Sequence, residues 1–216
     1  MKIRRYLTLV LCSLLTLVVS LPLQAQKTVT GAQRDEMIRR IGQAASELSS
    51  LSCDFVQVKQ LSLLNDKLTS RGKMYYKAPS SLRWEYTTPY AYTFVLSGTK
   101  VLIKSGTQKN VIDTGSSRLF QEIARLMMGT VTGKCLSGSD SFEVELQVNG
   151  QEWVARMVPR KKELKRMFAS VALYFDATRA VVNKVRITES SGDDTLITLS
   201  HVVTGKELPH ALFAVD

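Results

Sequence analysis

The side chains able to do chemistry are few and scattered. The two histidines, His201 and His210, sit near the C-terminus in neither HExxH nor H-x-x-x-H spacing, and read as surface or structural residues. Asp193-Asp194 follows Gly192 between two strand-like runs, where a hairpin turn explains the pair better than paired acid–base carboxylates do. There is no G-x-S-x-G elbow, P-loop or G-x-G-x-x-G, so acyl-transfer and nucleotide chemistry lack their usual frames. No Cys/His cluster has metal-ligand spacing, and Cys53 and Cys135 are far apart with no CxxC. The expectation is a protein that is not an enzyme and holds no cofactor or metal.

What remains is chemistry of surfaces. The run Arg160-Lys161-Lys162-Glu163-Leu164-Lys165-Arg166 lies between two strand signals, as a solvated loop or as a patch for acidic lipid headgroups or a partner complex. Met127-Met128 ends a helical run and reads as core, although methionine also suits adaptable ligand surfaces.

The first 25 residues fix the expected compartment. Lys2, Arg4 and Arg5 precede an apolar run from Leu7 to Leu21, and Leu23-Gln24-Ala25 offers a cleavage site, as in a secretory signal peptide with the mature chain starting at Gln26. The apolar run, about 15 residues, falls short of the roughly 20 that cross a bilayer. Cys12 lies inside it behind Leu11, where a lipidation site would have a small residue, and no cysteine stands directly after Ala25, so a lipid tether is not expected. A soluble exported domain spanning residues 26–216 follows, long enough for one real core. The leader holds three of the 29 Lys and Arg and none of the 19 Asp and Glu, which leaves about +7 on the remainder. Such a charge attracts anionic membranes or acidic partners, and export removes nucleic acid from consideration. In an oxidising compartment Cys53 and Cys135 are either a disulfide or two buried thiols, and both readings stand.

The elements that must position any site are mostly strands. Thr30-Gly31-Ala32-Gln33 has capping-box spacing, and Met37, Ile38, Ile41, Ala45, Leu48 and Leu51 recur on one face of a leading helix. From Cys53 the period becomes two. Strands are expected at 53–61, 71–77, 82–87, 92–97, 100–104 and 110–113, and again at 141–148, 151–159, 168–176, 180–189 and 195–203. A second helix over 117–128, stopped by Gly129, divides the two sets. About 11 antiparallel strands must curl. Leu82, Trp84 and Tyr86 alternate with polar neighbours, so one face is apolar, and the expected fold is an incomplete β-barrel with a helical lid.

The segment Gly72-Lys-Met-Tyr-Tyr-Lys-Ala-Pro79-Ser-Ser-Leu82-Arg83-Trp84-Glu-Tyr86-Thr-Thr-Pro89 resembles the hallmark of the periplasmic lipoprotein carriers of the LolA type. Phe55-x-Gln57, Ser97-Gly98, Val158-Pro159, Leu173-Tyr-Phe175-Asp176, Val185-Arg-Ile187 and Gly192-Asp-Asp-Thr195 extend the resemblance over most of the chain. It implies a half barrel whose cavity takes the acyl chains of lipoproteins. It implies a monomer that shuttles between an inner-membrane lipoprotein-release complex and an outer-membrane acceptor. One departure stands out. The family pattern has an arginine before the proline equivalent to Pro79, implied to hold the lid shut, and this chain has Ala78 there. Arg83 should point away from Leu82 and Trp84 and is a poor substitute. Other readings of the same fold are a carrier of another lipid or glycolipid, or a sensor domain that docks a protein.

The residues expected to line the cavity come from the apolar faces. They are Phe55, Met74, Tyr76, Leu82, Trp84, Tyr86, Phe94 and Leu96 from the first set of strands, and Ile123 and Met127 from the lid. Phe142, Val144, Leu146, Leu173 and Phe175 come from the second set, while at Trp153-Val154 both faces are apolar.

Overall fold

The computed structural model describes residues 27–64, 66–116, 118–136 and 141–215, so the expected leader and the cleavage point at Gln26 lie outside the described residues. A two-residue strand β1 (Lys27–Thr28) leads into helix α1 (Gly31–Glu47). Thr30 is the N-cap in an extended conformation, but its hydroxyl makes no capping bond, so the expected capping box does not form. Met37, Ile41 and Ala45 are the buried stripe of α1, at the spacing of one helix face.

All eleven expected strands are present. They are β2 (Ser50–Leu61), β3 (Asp66–Lys77), β4 (Ser81–Thr88), β5 (Tyr92–Ser97), β6 (Lys100–Ser105), β7 (Gln108–Asp113), β8 (Phe142–Asn149), β9 (Glu152–Pro159), β10 (Phe168–Asp176), β11 (Val181–Glu189) and β12 (Asp194–Thr204). With β1 they form one antiparallel sheet in the order β1-β8-β9-β10-β11-β12-β2-β3-β4-β5-β6-β7, curled but not closed, since β1 and β7 are its edges. Strand β1 is too short to show a period. Strand β3 starts five residues early because Asp66–Ser70 pairs with β2 alone and carries no alternation; β4 joins only at Arg71. The β2–β3 hairpin therefore projects beyond its neighbours.

Helix α2 (Arg118–Thr132) runs past Gly129, contrary to the expected stop there. Gly129 is instead a contact: a Cβ on it would lie 2.8 Å from that of Cys135, so glycine lets the helix meet the next turn. The stop is Gly133, at φ 77°, where a Cβ would meet Ile41 and Phe175. Among the described residues no helix is long and apolar enough to cross a membrane.

The main core fills the concave face, joining Ile41 and Met37 of α1 to Leu51, Leu82, Leu146, Met157 and Leu173 of the sheet. A second core lies on the convex face, against the expectation that this side is wet. Val95, Leu102 and Tyr75 are covered there by Leu208 and Phe213 of the C-terminal tail. Arg83 points to this side as expected, pairing with Glu85 at 2.9 Å and donating to the Leu212 carbonyl. The basic run is not a plain loop: Lys162–Lys165 forms a short helix α3 with Leu164 buried beneath it. Cys53 and Cys135 are free thiols, and burial pushes each up to about 12.

Candidate functional site

Along each strand, alternate side chains enter the concavity and their chemistry changes with height. On β2 the series is Leu51, Cys53, Phe55, Gln57, Lys59, apolar at one end and polar at the other. The apolar end is plugged by α1. Beyond the plug, among the described residues, the sheet is roofed only by α2, and a cavity of about 460 Å³ remains beneath it.

The floor of the cavity is an aromatic cluster. Phe55 lies 5.0 Å from Trp84 and 5.1 Å from Tyr86, and Tyr86 lies 5.9 Å from Tyr92. These separations suit tilted and edge-on ring contacts. Phe55 can sink behind the cluster because Gly72 faces it from β3; a Cβ there would come 2.8 Å from Phe55 Cε1 and 1.9 Å from the Glu85 carbonyl oxygen. The Tyr86 hydroxyl donates to Gln57 Oε1 at 3.0 Å, and burial raises its pKa. Trp84 Nε1 is buried without an acceptor, a donor held in the wall of an apolar space.

The opposite wall is Val185 and Ile187 of β11 with Ile197 and Leu199 of β12, and the roof is Ile123, Leu126, Met127, Thr130 and Val131 of α2. At the polar end Lys59 Nζ donates to Glu189 Oε1 at 2.7 Å and stands 3.5 Å from Asp193 Oδ2. The hydrogen bond to Glu189 raises the Lys59 pKa. This pair, with Gln57 and Thr195, gives the cavity a polar mouth. The arrangement suits an amphipathic molecule: apolar chain inside, polar end at Lys59 and Glu189.

Of the residues expected on the wall, Met74, Trp84, Tyr86, Phe94, Ile123 and Met127 line this space. The structure places Phe55, Tyr76, Leu82, Leu96, Phe142, Leu146, Leu173 and Phe175 in the packed core, with Val144 half-buried against it. Sequence reasoning missed the β11–β12 wall, although Val185-x-Ile187 and Thr195-x-Ile197-x-Leu199 carry its alternation. Nothing local marks Lys59 and Glu189, which meet only through the register of three strands. Ala78 is exposed in the β3–β4 turn, its N–H donating to the Ser49 carbonyl at 2.8 Å. Among the described residues no group of three or more His, Cys, Asp or Glu is placed to hold a metal.

Known proteins share this frame. Residues 46–216 match the family described as outer membrane lipoprotein carrier protein LolA. An outer-membrane lipoprotein carrier protein of Chromobacterium violaceum is 25% identical over 171 residues, and one of Methylococcus capsulatus is 28% identical over 170 residues; each match covers 76% of both chains. The fold is also similar to a chain in the complex structure of Pseudomonas aeruginosa MucA/MucB, with a TM-score of 0.50 at 13% identity, covering 86% of this chain and 62% of that one. The curled sheet, its roofed apolar cavity and a family match running from the end of α1 to the C-terminus agree: the chain belongs to the LolA family of outer membrane lipoprotein carriers.

Proposed function

We propose that this protein is a non-enzymatic periplasmic carrier that takes up lipoprotein acyl chains under α2 and moves them from the inner membrane to an outer-membrane acceptor. The carrying observation is the roofed apolar cavity with polar groups, Lys59 and Glu189, at one end. A methylene occupies about the volume of a liquid water molecule, ~30 Å³, so the cavity has room for about 15 of them, or one acyl chain. At about 0.8 kcal/mol per buried CH₂, filling it gains on the order of 12 kcal/mol before the cost of ordering the chain. Three acyl chains need more space, so α2 has to swing away from β11 to admit a fully acylated cargo. The sheet is held by continuous ladders and α2 by side-chain packing, which makes α2 the part that moves.

Native mass spectrometry of the protein purified from a periplasmic extract tests this reading. A retained acylated species supports carriage, and its mass separates a lipoprotein from a free lipid or glycolipid. Protein that stays empty and takes up no apolar dye would exclude carriage and favour a docking or sensor role.

A further inference from the structure

We propose that the mouth end of the sheet is a membrane-docking edge that settles on an anionic lipid bilayer. Antiparallel connections alternate between the two ends, so the β2–β3, β4–β5, β9–β10 and β11–β12 turns all emerge at the end where the cavity opens. Three of them are tied together. Ser62 donates through its N–H to Asp193 Oδ1 at 3.0 Å and through its hydroxyl to the Ser191 carbonyl, while the Ser190 N–H donates to the Met167 carbonyl at 3.1 Å.

This rim carries two features that together suit a bilayer surface. The first is apolar exposure: Leu63 is 95% exposed and Leu64 71% at the tip of the projecting β2–β3 hairpin, and Tyr90 is 82% exposed on the next turn. Leucines so placed bury nothing in the fold and are costly in water. The second is charge. Lys67, Arg71, Arg160, Lys162, Lys165 and Arg166 are exposed here, and none is held in an ion pair among the described residues. Of the nearby acids, Glu189 and Asp193 are committed to Lys59 and Asp194 to Arg186, while Asp66, Glu143 and Glu163 stay exposed, fewer than the six cations. Apolar tips between cations match the boundary between headgroups and acyl chains.

A groove of about 410 Å³ runs between Leu68 and Tyr90 and shares Tyr86 and Tyr92 with the cavity. A chain leaving the cavity at Tyr92 thus meets a groove walled by Leu68, Pro89 and Tyr90 at the base of the projecting hairpin. The docking surface rests on the rim's own residues and not on what the cavity carries.

Cosedimentation of the full-length mature protein with phosphatidylglycerol-containing vesicles, against phosphatidylcholine vesicles, tests it. The wild type should bind the anionic vesicles and release as salt rises. Leu63→Ser/Leu64→Ser should weaken binding about tenfold or more. Lys165→Glu/Arg166→Glu should weaken it by a larger factor than Lys100→Glu/Lys206→Glu, which makes the same charge change at the opposite end. All six positions are exposed, and circular dichroism checks the fold. No binding to anionic vesicles overturns the proposal. So does equal loss from reversals at the two ends, which is general attraction of a basic protein, and so does binding unaffected by the leucine pair. A rim that retains an acidic protein but no vesicle would be a protein interface and would also overturn it.

Discussion

The two halves of the concavity are built from the same kind of residue and behave differently. At the plugged end, Leu82, Leu173 and Phe175 share one buried core with Met37 and Ile41 of α1, and their exposure falls to zero. At the mouth end, Trp84, Phe94 and Met127 are as apolar but only partly buried, because α2 spans the sheet without filling it. An apolar strand face therefore becomes core or ligand site according to the helix that lands on it. Stability belongs to the first half and function to the second.

The largest effect should come from breaking that division on both sides. Phe175→Ala in the plugged half should cost about 3–5 kcal/mol in urea unfolding, while the folded fraction still takes up an apolar dye. Met127→Glu in the roof should do the reverse, losing dye uptake at least tenfold, with stability changed by about 1 kcal/mol or less because the side chain can turn to solvent. If both variants lost stability and uptake together, the two halves would be a single unit and the comparison would fail.

Much of this was legible in the sequence and one decisive part was not. Leu82-x-Trp84-x-Tyr86 and Phe142-x-Val144-x-Leu146 reveal strands and their inner face, because period two depends only on the backbone. The division of that face into core and cavity depends on where α1 and α2 land. Gly129 sets that position against Cys135 of the following turn, and Gly133 sets it against Ile41 and Phe175, which are distant in sequence. The convex core under Leu208 and Phe213 was hidden likewise, since it exists only once the tail folds back.

The two thiols sharpen the comparison by a smaller effect. Cys53 lies in the sheet beside Met74, and Cys135 lies against Gly129 at the end of α2. Alkylation near neutral pH, read by peptide mass, should modify Cys135 faster than Cys53, because lid motion exposes one and only global unfolding exposes the other. Both thiols are raised from an ordinary value of 9.0 to about 12, so the unfolded chain loses these protons first. Their contribution is whole below pH 9 and drains away towards pH 12, so stability should fall across that window. Equal alkylation rates would mean that the lid does not open on its own.

The smallest effect concerns the lid's closure at Ala78. In this chain α2 enters through Thr114, whose N–H donates to the Thr99 carbonyl at 2.8 Å, and the β5–β6 turn is in turn tied to Ser80 by the Gly98 N–H at 3.2 Å. Ala78 thus stands at the same end of the sheet as the lid's entry but three to four strands away from it. An arginine placed there cannot span the roughly 14–19 Å of sheet to that entry, at the usual strand spacing, and has to find a carbonyl where the lid passes over the sheet. A charged hydrogen bond contributes about 1.5–3 kcal/mol when made, and ordering a long exposed side chain offsets much of it. Ala78→Arg should therefore slow apolar-dye entry in stopped-flow by a factor of a few and raise the melting temperature of the empty protein slightly. The sign follows from favouring the closed state. Unchanged entry and melting would show that packing alone holds this lid, through Ile123, Met127 and Val131 above and Gly129 against Cys135 behind.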